Sequence, residues 1–371
     1  MRILLAITSL GVGGAERLVT ALADRYAAAG HQVMLIRFHG EAELRPSDPR
    51  VRLENLNMRR SPLGVLVAMR RFRRFVRAFG PDVVNSHLVH SNLLTRLLRL
   101  VTPIPRLVSS AHNTNEEGRA RMLAYRLTDR LADISTNVSE EAVAAFVAQG
   151  AVKSGRMLAI HNGIDIESFA YSSAARAQVR AELGLEETTP LLLAVGRLWE
   201  QKDYPNLLRA FACLDAGVVS PQLVIVGGGP LRDDLGALAD SLDVADRVRF
   251  LGMRHDVPAL MSACDLFVLS SAWEGFGLVV AEAMACGRMV VATDCGGVRE
   301  VVGEAGFLVP PRDAQALTEA MGRALRLPDE QRQRLGTAAR ERVVARYSLE
   351  AMAQKYLAVY RGVKRAPHAA G

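Results

Sequence analysis

Short, β-branched apolar runs recur along the chain, each followed by a turn and then by a stretch whose apolar positions repeat at three- and four-residue spacing. The runs RILLAITSL, HQVMLIRF, DVVNSH, RLVSSAH, ISTNVS and RMLAIHNG read as strands, with helices such as Ala15 to Ala29 between them. This alternation predicts a parallel sheet covered by helices on both faces. After HNGIDIESF the polar segment AYSSAARAQ interrupts the pattern, which restarts with PLLLAVGR, QLVIVGGG, RVRFLG, LFVLSS, RMVVATD and GFLVP. The chain therefore reads as an α/β protein of two Rossmann-like domains, 1–168 and 169–348, with a last helix over 349–365 expected to pack back on the first domain. Ligands of such sheets gather at the carboxyl ends of the strands. Two sheets facing across a cleft would aim their glycine-rich turns at one shared site.

Composition agrees with that division. A length of 371 residues exceeds the size at which a single core stops growing, and no apolar run approaches the ~18 residues of a membrane span. The opening MRILLAITSL runs into a glycine-rich turn without a small-residue cleavage pattern, so it reads as a buried first strand and not as a signal segment. Cys213, Cys264, Cys286 and Cys295 form no C-x-x-C and have no clustered histidines, which predicts a reduced, cytoplasmic protein without structural zinc.

Charge changes the picture more. The net +7 is uneven: residues 1–170 hold 23 Lys or Arg against 15 Asp or Glu, and the rest hold 23 against 24. The first domain is thus expected to meet an anionic partner, either a phosphate-bearing acceptor or an anionic membrane surface. Aromatics at 5% and the lack of any nucleic-acid module pattern argue against nucleic acid.

Three turns carry candidate chemistry. TSLGVGGAER follows the first strand and opens a helix, so the amides of Gly13 and Gly14 can approach an anion at that helix N-terminus. It is not a dinucleotide fingerprint, because Glu16 stands where the third glycine of G-x-G-x-x-G belongs and MLIRFHG offers no ribose acid. In VGRLWEQKD, Arg197 and Lys202 leave a strand end on one polar loop, where two cations can neutralise a diphosphate; no D-x-D pair is present to hold a metal there. In SSAWEGFGLVVAEAMACG, a strand ends in a turn bearing Glu274, and a helix from Leu278 to Ala285 stops at Gly287. Amides from Gly275, Phe276, Gly277 and Leu278 then point at a ligand bracketed by Glu274 and Glu282, each able to accept from a sugar diol. On the alternative reading, Glu282 is a solvated residue of an ordinary core helix.

With EGFGLVVAEAMACG carrying an E-x7-E spacing beside VGRLWEQKD, IHNGIDIESF, GGAER and TDCGGVREVV, the chain resembles, over nearly its whole length, the retaining glycosyltransferases of family 4, which have the GT-B fold. The resemblance implies a nucleotide-diphosphate sugar as donor substrate, no separate cofactor, and transfer to an acceptor hydroxyl of a lipid-linked or cell-envelope glycan. It implies that Glu274 contacts the donor sugar, Glu282 the ribose, and Arg197 and Lys202 the diphosphate, while Gly13 and Gly14 close over the donor. His112, in SSAHNT, matches a histidine near the reacting sugar, and Gly227, Met253 and Arg254 complete the donor-binding set. His87 and His90 either line the acceptor side or pack. Retention would follow from front-face attack, since no carboxylate pair is placed as in a retaining hydrolase. A nucleotide-sugar epimerase or a non-catalytic sugar-nucleotide sensor would share the binding residues. A nicotinamide oxidoreductase is opposed by the broken fingerprint, and a phosphorylase by the short chain and the lack of a cofactor-lysine motif.

One helix is set apart. In PLGVLVAMRRFRRFVRAFG, Val65, Met69, Phe72, Val76 and Phe79 recur at helical spacing, while Arg70, Arg71, Arg73, Arg74 and Arg77 occupy the rest of the surface. The stripe is expected to face the core and the arginines an anionic membrane or lipid-linked acceptor, which would bring the protein to the inner face of the cell membrane.

Overall fold

In the computed structural model, which describes residues 1–11, 13–59, 61–113, 118–214 and 220–362, the chain divides into two units. One holds residues 1–163 together with the chain from Leu349 onward; the other is Ile164–Ser348.

The first unit is built on β1 (Arg2–Ile7), β2 (Gln32–Arg37), β3 (Arg52–Asn55), β4 (Val83–His87), β5 (Leu107–Ser110), β6 (Ile134–Asn137) and β7 (Met157–Ala159). All pair in parallel, in the order β3-β2-β1-β4-β5-β6-β7. β1 and β2 are apolar on both faces, as in a doubly covered parallel sheet, and Ile3 to Ile7 are wholly buried; β4 and β5 turn polar toward their carboxyl ends, where Asn85, Ser86, His87, Ser109 and Ser110 are buried. β3 was not among the runs read as strands, because RLEN at the sheet edge is polar and only partly buried.

On one face, α1 (Gly14–Ala28) packs with α14 (Leu349–Tyr360) over Ile3, Leu5 and Ile7. Seven residues of α14 are buried, and Tyr360 Oη accepts from Asn85 Nδ2 at 2.7 Å. The last part of the helix read over 349–365, residues 363–365, lies outside the described residues. The other face is covered by α2 (Pro62–Phe79), α3 (Val89–Leu98), α4 (Arg119–Thr128) and α5 (Glu140–Ala148). α2 starts where Ser61 caps it, accepting from the Gly64 amide, and ends at Gly80 with φ of +58°. Its stripe turns inward: Ala68, Phe72 and Val76 are buried, with Met69, Phe75 and Phe79 packed beside them. The first predicted member, Val65, is only half-buried.

The second unit pairs β8 (Leu191–Val195), β9 (Gln222–Val226), β10 (Val248–Phe250), β11 (Leu266–Leu269), β12 (Met289–Thr293) and β13 (Phe307–Val309) in the parallel order β10-β9-β8-β11-β12-β13. Strand order reverses between β8 and β11, so the connections leaving these neighbours diverge and open a crevice at their carboxyl ends. α10 (Leu278–Ala285) follows β11, and α13 (Asp329–Tyr347) packs against it.

Candidate functional site

The chain leaving β8 reaches Arg197 and then a short 3-10 turn, Glu200–Lys202. The chain leaving β11 reaches Glu274. Across the switch point the two meet: Lys202 Nζ donates to Glu274 Oε1 at 2.5 Å, and Ser271 Oγ donates to the same oxygen at 2.8 Å. Both partners are largely buried, with side-chain exposures of 15% and 10%, so removing either one would leave the other charge shielded from water and unpaired. Backbone contacts hold the two loops in place. Ser270 Oγ donates to the Lys202 carbonyl at 2.8 Å, Gln201 Nε2 to the Trp273 carbonyl at 3.0 Å, and Thr293 Oγ1 to the Ser271 carbonyl at 2.6 Å. Tyr204 donates to the Gly196 carbonyl at 3.1 Å; burial, and then the charge of Glu274, hold its phenol well above the usual range.

Arg197 is exposed and lies over the Trp199 ring at 5.4 Å. Among the described residues no carboxylate pairs with it, so its charge remains for a ligand. Next to the Lys202–Glu274 pair, α10 begins at Gly277, whose φ of +85° turns the chain into the helix. Val280 and Ala281 both donate to the Gly277 carbonyl, which leaves Leu278 and Val279 with the orphan donors of the helix start. Two cations after β8 and a helix N-terminus after the neighbouring β11 can hold an anion, and one carboxylate oxygen, Glu274 Oε2, is left to accept from hydroxyls.

The other sequence-derived residues fall into place individually. Gly227 follows β9 and must be glycine, because a Cβ there would collide with the Gly196 carbonyl. Met253 lies against this turn, within 3.3 Å of where a Gly228 side chain would begin, and is highly exposed. Arg254 is engaged by Glu182 at 2.6 Å and by Asp256 at 2.7 Å. Gly275 and Phe276 continue the Glu274 turn, and Phe276 is buried with its ring 5.5 Å from Tyr347. Glu282 is half-buried in α10.

In the first unit, Gly13 precedes Gly14 at the N-terminus of α1, and the chain's own Glu16 carboxylate folds over Gly13, where a Cβ would strike it. Burial raises the Glu16 carboxyl above its ordinary value. His87 ends β4 and His112 follows β5, so parallel neighbours bring them together: His87 Nδ1 and His112 Nε2 share a hydrogen bond at 3.1 Å. Among the described residues, His87 Nε2 and His112 Nδ1 are buried without partners. Burial lowers both rings, His112 to about 4, so both are neutral at physiological pH. His90 lies exposed in α3.

Sequence reading did not find Ser271, Tyr204, Trp199 or Gly296. Ser271 stood in the quoted EGFG stretch and Gly296 in TDCGGVREVV; a Cβ at Gly296 would collide with the Glu274 carbonyl, so this glycine lets the site close. Among the described residues no group of three or more His, Cys, Asp or Glu side chains is placed to hold a metal ion.

Two family models match the chain: Glycosyl transferases group 1 over residues 175–342 and Glycosyltransferase Family 4 over residues 12–168. D-inositol 3-phosphate glycosyltransferase of Corynebacterium urealyticum is 31% identical over 77% of this chain and 72% of its own length. N-acetyl-alpha-D-glucosaminyl L-malate synthase of Bacillus anthracis is 31% identical over 54% of this chain and 52% of its own. The chain thus spans about half the length of the first curated relatives it matches. Anabaena HepE, solved in complex with UDP, shares the GT-B fold with a TM-score of 0.83 at 24% identity, covering 97% of this chain and 100% of that one.

Proposed function

The chain belongs to the glycosyltransferases, and on that premise we propose that it is a metal-independent, retaining enzyme moving a sugar from a nucleotide diphosphate to an acceptor hydroxyl. The observation that carries the reading is the Lys202–Glu274 pair at the switch point of the second sheet, beside the orphan amides of α10. Arg197 and Lys202 neutralise the diphosphate as its bond to the sugar breaks, and the Leu278 and Val279 amides share the charge; such preorganised donors act most strongly on the leaving group. Glu274 Oε2 accepts from the sugar hydroxyls, and Glu282 from the ribose. HepE, which shares the fold, was solved with UDP, which supports a nucleotide donor. His112 is neutral, and its role is therefore to hydrogen-bond the sugar, not to carry charge. The acceptor hydroxyl attacks from the face the phosphate leaves and passes its proton to that departing phosphate, which retains the anomeric configuration.

The acceptor is read as anionic, a lipid-linked or cell-envelope glycan bearing phosphate. The basic first half supports this, and so do the relatives, which are named for L-malate and D-inositol 3-phosphate. Arg70, Arg71, Arg73, Arg74 and Arg77 would bring the enzyme to an anionic membrane face. The test offers UDP- and GDP-sugars with and without a glycan acceptor, in EDTA. Nucleoside diphosphate is expected only when acceptor is present, with an unchanged anomeric coupling in the product. Release without acceptor, inversion, or a loss in EDTA restored by Mn²⁺ would each overturn part of the reading. A sensor would bind nucleotide and release nothing, and an epimerase would convert the donor without acceptor.

A further inference from the structure

His87 has no part in the reading above, yet the fold holds it at a cost in strain. It ends β4 between Ile7 and Ser110 in the sheet and is wholly buried. The next residue, Leu88, has φ of +72° and ψ of 155°, a region that only glycine enters without strain. Hydrogen bonds fix this turn on both sides: Ser91 Oγ donates to the His87 carbonyl, and the Leu88 amide donates to the Ser110 carbonyl at 3.2 Å. Such strain persists only where the surroundings over-determine it, and here it fixes the backbone that carries the His87 ring.

The polar groups around that ring are already paired with one another. Thr136 Oγ1 donates to Ser110 Oγ at 2.8 Å, Ser110 Oγ to Asn85 Oδ1 at 2.9 Å, and Asn85 Nδ2 to Tyr360 Oη at 2.7 Å. Tyr356 of α14 stands beside His87, with ring centroids 6.2 Å apart, but its hydroxyl reaches Ser110 Oγ at 3.4 Å. His112 Nε2 is the partner left to His87 Nδ1, at 3.1 Å. Among the described residues the two outer nitrogens, His87 Nε2 and His112 Nδ1, have no hydrogen-bond partner.

The proton positions follow from this geometry. Both rings are neutral, so each holds one proton, and one N–H lies in the shared bond. The other N–H sits on one of the outer nitrogens and a bare lone pair on the other. Buried donors are left unpaired less often than buried acceptors. His87 is wholly enclosed, whereas His112 is half-buried just past the carboxyl end of β5, where ligands of such sheets gather. The lone pair therefore belongs on His87 Nε2 and the N–H on His112 Nδ1.

We propose that His87 is a positioning residue: its Nδ1–H donates to His112 Nε2, which keeps the His112 proton on Nδ1 and aims that N–H at an oxygen of the sugar being transferred. The inference rests on the placing of His112 beside that sugar in the functional reading. It also bears on proton transfer. The single lone pair of the His112 ring nitrogens is engaged by His87, so His112 does not take the proton of the acceptor hydroxyl, and the departing phosphate receives it.

The experiment reads the tautomer by nitrogen NMR of the full chain carrying isotope-labelled histidine, with His112→Asn identifying the His112 signals. Wild type is expected to show His112 protonated at Nδ1. His87→Phe keeps an aromatic ring without the donor and should lower kcat about five- to tenfold, the usual effect of one lost hydrogen bond. Its UDP affinity in calorimetry should match wild type, because Arg197 and Lys202 are untouched. His87→Asn restores an N–H near the place of Nδ1 and should recover most of the lost turnover, whereas a packing role would favour phenylalanine over asparagine. Melting temperatures establish that the variants fold; should His87→Phe fail to fold, the wild-type spectrum and His87→Asn still decide. His112 protonated at Nε2, wild-type turnover in His87→Phe, or His87→Asn no better than His87→Phe would overturn the proposal. Sugar transfer by a chain whose His112 is protonated at Nε2 removes only this proposal. His112 protonated at Nδ1 in a chain that releases no nucleoside diphosphate with acceptor removes the sugar-transfer reading and leaves the pairing of the two rings.

Discussion

Removing the Lys202 ammonium takes two things from the second unit at once, the partner of a nearly buried carboxylate and a cation for the leaving group. Lys202→Ala leaves Glu274 with Ser271 alone, so a stability loss of about 1–3 kcal/mol is expected together with a fall in turnover of about 10²-fold or more. Glu274→Gln keeps the shape and should lose turnover with little change in melting temperature. Wild-type rates in Arg197→Ala/Lys202→Ala would sink the diphosphate assignment. The histidine pair makes a separate prediction about pH. Above the ordinary value of 6.5 both folded and unfolded chains hold His112 neutral, and the pair carries no proton-linked cost. As pH falls from 6.5 toward about 4, the unfolded chain takes up a proton that the folded chain refuses, so stability declines across that window and levels off below it. Denaturant midpoints of wild type and His112→Asn at successive pH values check this. An equal slope in both proteins would assign the effect to other groups.

α10 shows what an element adds that its residues alone do not. Its start depends on a left-handed Gly277, and a Cβ there would also press on Val298 Cγ2 at 2.9 Å. Gly277→Ala is expected to cost about 1–2 kcal/mol in backbone strain and, by tilting the Leu278 and Val279 amides, to weaken UDP binding in calorimetry. A lower melting temperature with unchanged UDP affinity would remove these amides from the donor site. The helix was legible because Gly277 and Gly287 bracket an apolar run, and the four inner strands of the second sheet were legible because a doubly buried strand is apolar on both faces; its partly buried edge strands, β10 and β13, were legible through the apolar residues of RVRFLG and GFLVP. β3 was not, since an edge strand half in water needs no such run. The site was legible in its charged residues and not in its supports. Lys202 and Glu274 are 72 residues apart and His87 and His112 are 25 apart. Only the strand order, which no local pattern encodes, tells which turns become neighbours.

At the scale of the whole chain, the two units depend differently on contiguity. The second is one segment, Ile164–Ser348, whereas the first takes α14 from beyond it. α14 buries Leu349, Met352, Leu357 and three further large side chains, and at ~1.5–3 kcal/mol each the loss is comparable to the ~5–15 kcal/mol that holds a typical domain folded. A chain ending at Ser348 is therefore expected to show one calorimetric transition near the wild-type temperature, from the second unit, and to lose the other. Two intact transitions would mean that the first unit stands without α14. The arrangement also has a consequence in time. A ribosome delivers the first sheet early, but the helix that covers Ile3, Leu5 and Ile7 emerges only after all of Ile164–Ser348, a delay of roughly 10–40 s at the usual ~5–20 residues per second. The unit begun first is thus finished last, and its uncovered face is what a chaperone attending the nascent chain would have to shield.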